Sequence, residues 1–191
     1  MTIEVLGSIG VGLFAGSFAL LAFGGDSLIE LISGLAVLGG LRRDSSRIGG
    51  VIDSKRTEQF TSLLLFTLIP VIGLGAAFSY VTGLKPEGSP LGIIIAVGAL
   101  IVMPYLFIQK KRIGRETRSP ALSMDAIESV TCLFMATALL GGLLAEYFLG
   151  FWWADYLATG IILAFVAREA VESYHELHGE EAIAHIPPVV P

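Results

Sequence analysis

The chain has 191 residues, a net charge of −5, 54% hydrophobic residues and only 15% charged ones. A soluble domain carries roughly 25% charged residues; here the charges gather in short stretches between apolar runs of about 20 residues, the length that crosses a hydrocarbon core. This pattern excludes an ordinary water-soluble fold, no alternating short segments point to a β-barrel, no nucleic-acid signature is present, and the single cysteine, Cys132, excludes an internal disulfide.

With no water in the lipid core, backbone polar groups must be satisfied within each segment, so the spans are expected as helices. In chain order they are predicted at 3–15, 19–41, 60–81, 91–109, 121–144 and 151–171. The first is short for a crossing. A rival division fuses 3–24 into one helix and starts the next at Asp26; a break at Gly16 and Ser17 is preferred, because glycine and serine punctuate helices. The expected organisation is a six-helix transmembrane domain over 1–171 and a short cytoplasmic tail over 172–191. No Lys or Arg precedes Arg42, which argues against a cleaved signal peptide with a basic start.

The basic residues set the expected orientation. Arg42, Arg43, Arg47, Lys55 and Arg56 fall in one predicted loop, and Lys110, Lys111, Arg112, Arg115 and Arg118 in another. The stretch 83–90 has only Lys85, and the predicted turn at 146–150 has no basic residue. The positive-inside rule puts the two basic loops, and with six spans both termini, in the cytoplasm, with a bacterial or archaeal cytoplasmic membrane as the expected location. Trp152, Trp153 and Tyr156 suit an interfacial belt at the outer end of the sixth span. Gly12 and Gly16 stand at GxxxG spacing, which permits close helix approach.

Four acids lie inside or beside these spans: Asp26, Glu30, Asp125 and Glu128. Each ionised carboxylate at mid-membrane costs about 2.5–3.5 kcal/mol or more. Asp26 and Glu30 are four apart and share a helix face; Asp125, Glu128 and Cys132 share another. A divalent cation between the second and fifth helices would remove the penalty of clustered negative charge. Its ligands would be Asp26, Glu30, Glu128 and Cys132. The bland alternatives are acids protonated or hydrogen-bonded to a neighbouring helix, and a cysteine that only packs. In the tail, His175, His178 and His185 form either a loose metal collector or a solvated helix end before a Pro-rich terminus.

The stretch Gly16-Ser17-Phe18-Ala19-Leu20-Leu21-Ala22, followed by Asp26 and Glu30, resembles the second helix of the cation diffusion facilitator family. Lys55-Arg56-Thr57-Glu58 is similar to that family's G-K-x-E segment, and Ser119-Pro120-Ala121-Leu122 before Asp125-Ala126 to its run into the fifth helix. The resemblance implies an all-α membrane protein, a six-transmembrane-helix bundle of cation-efflux type, with a metal site of paired residues on the second and fifth helices. Glu128 and Cys132 stand where the family usually has His and Asp. Asp155 matches a family Asp; it and Asp125 would stand behind the ligands or couple protons. The family's cytoplasmic C-terminal domain is not expected, since about twenty residues follow the sixth span.

The expected function is therefore efflux of a divalent metal by a carrier, with no enzymatic activity and no prosthetic group. Three ionised carboxylates, with or without a thiolate, outweigh one divalent charge, so protons and metal should compete and metal–proton antiport follows. Mixed oxygen and sulfur ligands put Zn²⁺ first, with Mn²⁺, Fe²⁺, Co²⁺ and Cd²⁺ open. The bilayer, protons and a second copy in a homodimer are the other expected partners. A non-transporting metal sensor or assembly subunit, and a proton-coupled carrier of a small organic cation, are the alternative readings.

Overall fold

Three glycines in left-handed backbone, Gly16 (φ 66°), Gly83 (φ 72°) and Gly150 (φ 69°), follow three of the helices. At Gly16 the Ser17 N–H reaches back to Gly12 O at 3.0 Å, and at Gly83 the Leu84 N–H reaches Ser79 O at 3.0 Å. Both are the long closing bonds of a Schellman end, which a residue without Cβ adopts at low cost. Serines start the next helices: Ser17 Oγ accepts the Leu20 N–H at 3.2 Å and Ser89 Oγ the Gly92 N–H at 3.1 Å.

The computed structural model describes residues 2–43, 49–117 and 120–184, with side chains at 2–35, 59–113, 115–116 and 129–175. They form six helices: α1 (Thr2–Ala15), α2 (Phe18–Arg43), α3 (Gly49–Thr82), α4 (Pro90–Thr117), α5 (Pro120–Leu149) and α6 (Trp153–Ala184). The chain breaks at Gly16 and Ser17 as expected. The basic end of the bundle differs from expectation. The stretches around Lys55 and Lys110 are not loops; they ride on extensions of α3 and α4, and α6 likewise runs well past Val171. The physical reason is that Lys, Arg, Glu and Gln are good helix formers, so a span that leaves the apolar layer has no cause to unwind. Arg47 and Arg118 lie outside the described residues.

Among the described residues, four helical stretches are long and apolar enough to cross a membrane: Phe18–Leu35, Gln59–Thr82, Pro90–Ile113 and Ser129–Leu149. The fourteen residues of α1 reach about 21 Å, short of a hydrocarbon core of about 30 Å. Asp155, Arg168 and Glu169 interrupt α6. The outward surface is apolar, with Phe14 94% and Val81 83% exposed, as lipid rather than water requires. Proline inside α3 (Pro70) and α4 (Pro104) is tolerated in membrane helices, where neighbours satisfy the freed backbone.

Inside, α2 is central and packs on α1, α3, α5 and α6. Leu20, Phe23, Met135, Leu139, Ile162 and Val166 form the middle of the core. Small residues set the separations. A Cβ on Gly142 would stand 2.7 Å from Ala158 Cβ, so α5 and α6 touch there almost backbone to backbone. A Cβ on Gly24 would stand 2.9 Å from Ser8 Cβ, and one on Gly12 would meet Leu20 and Leu21 at 3.1 Å. Gly12 therefore serves the α1–α2 contact within this chain.

The opposite end from the basic extensions is aromatic. Tyr80, Trp152 and Tyr156 stack edge to face or tilted with centroids 5.5–6.1 Å apart. Lys85 Nζ lies 5.7 Å over the Trp152 ring, and the Tyr156 hydroxyl donates to Leu84 O at 2.6 Å.

Candidate metal centre

Asp26 lies eight residues into α2, about 12 Å along the axis from Phe18, and Glu30 follows one turn on. Asp26 is 1% exposed and Glu30 half-buried. Gly24 and Gly25 precede them and carry no side chain, which lets α1 and Leu68 of α3 close against this part of α2. On α5, Cys132, Met135, Ala136, Leu139 and Leu143 recur at helical spacing, all within 1% exposure, and form the face turned to the core. The two faces meet at one point. Cys132 Sγ lies 2.7 Å from Glu30 Oε1 and 3.9 Å from Asp26 Oδ2.

One ligand atom from each of Asp26, Glu30 and Cys132 can be chosen so that all three lie within 4.8 Å of one another. Atoms around a tetrahedral zinc, at bonds of about 2.0–2.3 Å, stand about 3.3–3.8 Å apart. Small side-chain rotations would close the difference. Two carboxylates and a thiol in one apolar interior are mutually repulsive when ionised, and a cation is the simplest neutraliser.

The structure thus brings together three of the four expected ligands. Glu128 and Asp125 lie on the first turns of α5, but their side chains fall outside the described residues. Asp155 is elsewhere. Fully buried at the aromatic end, it accepts the Ser17 hydroxyl hydrogen, the Phe18 N–H at 3.0 Å and the Ala19 N–H at 3.4 Å. A carboxylate from α6 therefore holds the first turn of α2, where backbone N–H groups have no intrahelical acceptor and the helix dipole favours negative charge. Asp155 braces the helix that carries Asp26 and Glu30, about two turns before the first and three before the second. His175 is exposed at the basic end, and the side chains of His178 and His185 lie outside the described residues.

Sequence reasoning missed two residues near the centre. Glu169 of α6 lies within electrostatic reach of the Cys132 thiol, with Oε2 buried. The available signal was spacing: Glu169 is three residues after Val166 and seven after Ile162, both fully buried on the inward face of α6. Lys110 Nζ donates to Ser129 Oγ at 3.0 Å, one turn before Cys132, and places a positive charge at the basic end of the centre.

A sequence profile of the cation efflux transmembrane domain matches residues 2–176. The chain belongs to the cation efflux family. Among curated relatives, the cation-efflux pump FieF of Shewanella oneidensis is 30% identical over 87 residues, which cover 45% of this chain and 29% of that pump. The match spans under a third of the relative's length. In this cation efflux transmembrane domain, the side chains of Asp26, Glu30 and Cys132 converge from α2 and α5.

Proposed function

We propose that this chain exports divalent metal cations from the cytoplasm through a centre made by Asp26, Glu30 and Cys132, with Glu128 as the fourth ligand. The observation that carries this reading is the meeting of two carboxylates and one thiol, from α2 and α5, in the apolar interior of a cation efflux domain. Carboxylate oxygen with thiolate sulfur suits Zn²⁺ best, ahead of Mn²⁺, Fe²⁺, Co²⁺ and Cd²⁺.

Proton coupling follows from charge. The empty ligand set cannot hold all its negative charges at low dielectric, so protons occupy it when metal leaves and are displaced when metal binds. Metal moving outward then drives protons inward, which is antiport. The basic extensions face the cytoplasm and the aromatic end faces out, in keeping with the positive-inside rule. Asp155 keeps α2 in register with α6, so the two ligands on α2 move as one unit with the helix.

The test is metal-driven flux in proteoliposomes loaded with a pH-sensitive dye, over a panel of divalent ions. Asp26→Ala is expected to abolish both metal flux and the coupled proton signal. Wild-type flux in that variant would remove the centre from the transport route.

A further inference from the structure

Glu146 lies in the last turn of α5, on the residue stripe that begins with Cys132, and is 6% exposed. Neither of its carboxylate oxygens has a hydrogen-bond partner among the described residues. A buried carboxylate without donors is costly in a low-dielectric interior. Its charged neighbour is another acid, Asp155, which makes the cost larger. The Asp155 charge is already engaged by the Ser17 hydroxyl and the two N–H groups at the start of α2. Among the described residues, nothing comparable engages Glu146. The Tyr156 hydroxyl also lies within electrostatic reach of both acids.

The position is as informative as the chemistry. Glu146 and Cys132 are fourteen residues apart, about 21 Å along α5 and nearly in line on its inward face. Asp155 and Glu169 are also fourteen apart on α6. The antiparallel pair α5 and α6 therefore carries acid groups at both ends of one inward surface. Between them lies a layer of Leu20, Phe23, Met135, Leu139, Leu143 and Ile162, each at most 1% exposed. A cation leaving the centre toward the aromatic end would cross that layer and meet Glu146 next.

We propose that Glu146, with Asp155, forms a second divalent-cation station at the aromatic end of the bundle, which receives the metal after it leaves Asp26, Glu30 and Cys132. One divalent ion there balances the two carboxylates, and the apolar layer between the stations is the barrier that opens and closes during export. This rests on the export reading above, and the two are separable by experiment.

The probe is Zn²⁺, on the full chain reconstituted in nanodiscs for binding and in proteoliposomes for flux. Glu146→Gln keeps the shape of the side chain and removes its charge. It is expected to bind one Zn²⁺ fewer per chain than wild type, to keep the remaining Zn²⁺ affinity, and to slow flux at saturating Zn²⁺ about tenfold, the scale of losing a group that supports a metal. Retained Zn²⁺ affinity at the centre certifies that the variant is folded. In an Asp26→Ala, Cys132→Ala background one Zn²⁺ should remain, and adding Glu146→Gln should remove it. Unchanged Zn²⁺ stoichiometry in Glu146→Gln overturns the station, whether flux is unchanged or only its dependence on outer pH moves. Wild-type flux in Asp26→Ala would instead overturn the export reading.

Discussion

Replacing Asp155 by alanine removes the acceptor that α6 provides to the start of α2. Three donors lose their partner together: the Ser17 hydroxyl, the Phe18 N–H and the Ala19 N–H. Loss of a helix cap costs about 0.5–2 kcal/mol. Each buried donor left unsatisfied costs about 1–3 kcal/mol, and Asp155 is wholly buried, so water replaces little of the loss. The contributions overlap, because the cap is made of these same bonds, and the net expectation is about 2–4 kcal/mol. Asp155→Asn keeps an oxygen but loses the charge that meets the helix dipole, which is worth about 0.3–2 kcal/mol. It should fall between wild type and alanine. Unfolding of the detergent-solubilised protein by denaturant gives the order wild type, Asn, Ala. Zn²⁺ affinity of the Asp26, Glu30 and Cys132 centre should change little in Asp155→Asn, because Asp155 lies about two turns away from it. An alanine variant as stable as wild type refutes the brace. Loss of all Zn²⁺ binding in a folded Asp155→Asn makes Asp155 part of the centre instead.

Other substitutions probe the centre and its packing. Cys132→Ser replaces a soft ligand with a hard one and should shift the flux panel away from Cd²⁺ and Zn²⁺ toward Mn²⁺; an unchanged order of ions removes Cys132 from the ligand set. Glu169→Gln takes one negative charge from beside Cys132 and should weaken Zn²⁺ binding by about tenfold, read by titration of the reconstituted protein; equal affinity would make Glu169 a bystander. Gly142→Ala places a methyl 2.7 Å from Ala158 Cβ and 3.1 Å from Ala154 O. Relief requires α5 and α6 to part, at about 1–3 kcal/mol, so its denaturant midpoint should drop, and wild-type stability would deny the close contact.

The helical bundle, and the acids of the proposed centre on α2, were legible in the residues themselves. Apolar runs near 20 residues leave few choices in lipid, because only self-satisfied backbones survive there. Asp26 and Glu30 declared themselves by cost: acids four apart in such a run demand an explanation that a solvated pair does not. Cys132 could be placed on the same face as Glu128 by spacing, but spacing did not say whether its thiol touched α2. That contact depends on how deeply α5 settles against α2.

The remainder depended on packing between helices distant in sequence. Asp155 reads in the sequence as a family match behind the ligands, and spacing gives no hint that its partner is Ser17, 138 residues away. Glu146 reads as a turn residue because the fifth apolar run fades at 144; in the fold α5 continues to Leu149 and buries it. Glu169 sits beside Arg168 near the end of an apolar run and gives no sign of its neighbour until α6 lies against α5. Composition and periodicity are properties of one segment, so the sequence by itself determined six helices, their apolar exterior and the faces that carry acid. Which of those faces meet, and hence which acids stand together and which hold a helix end, is a property of pairs of segments, and only the tertiary structure decided it.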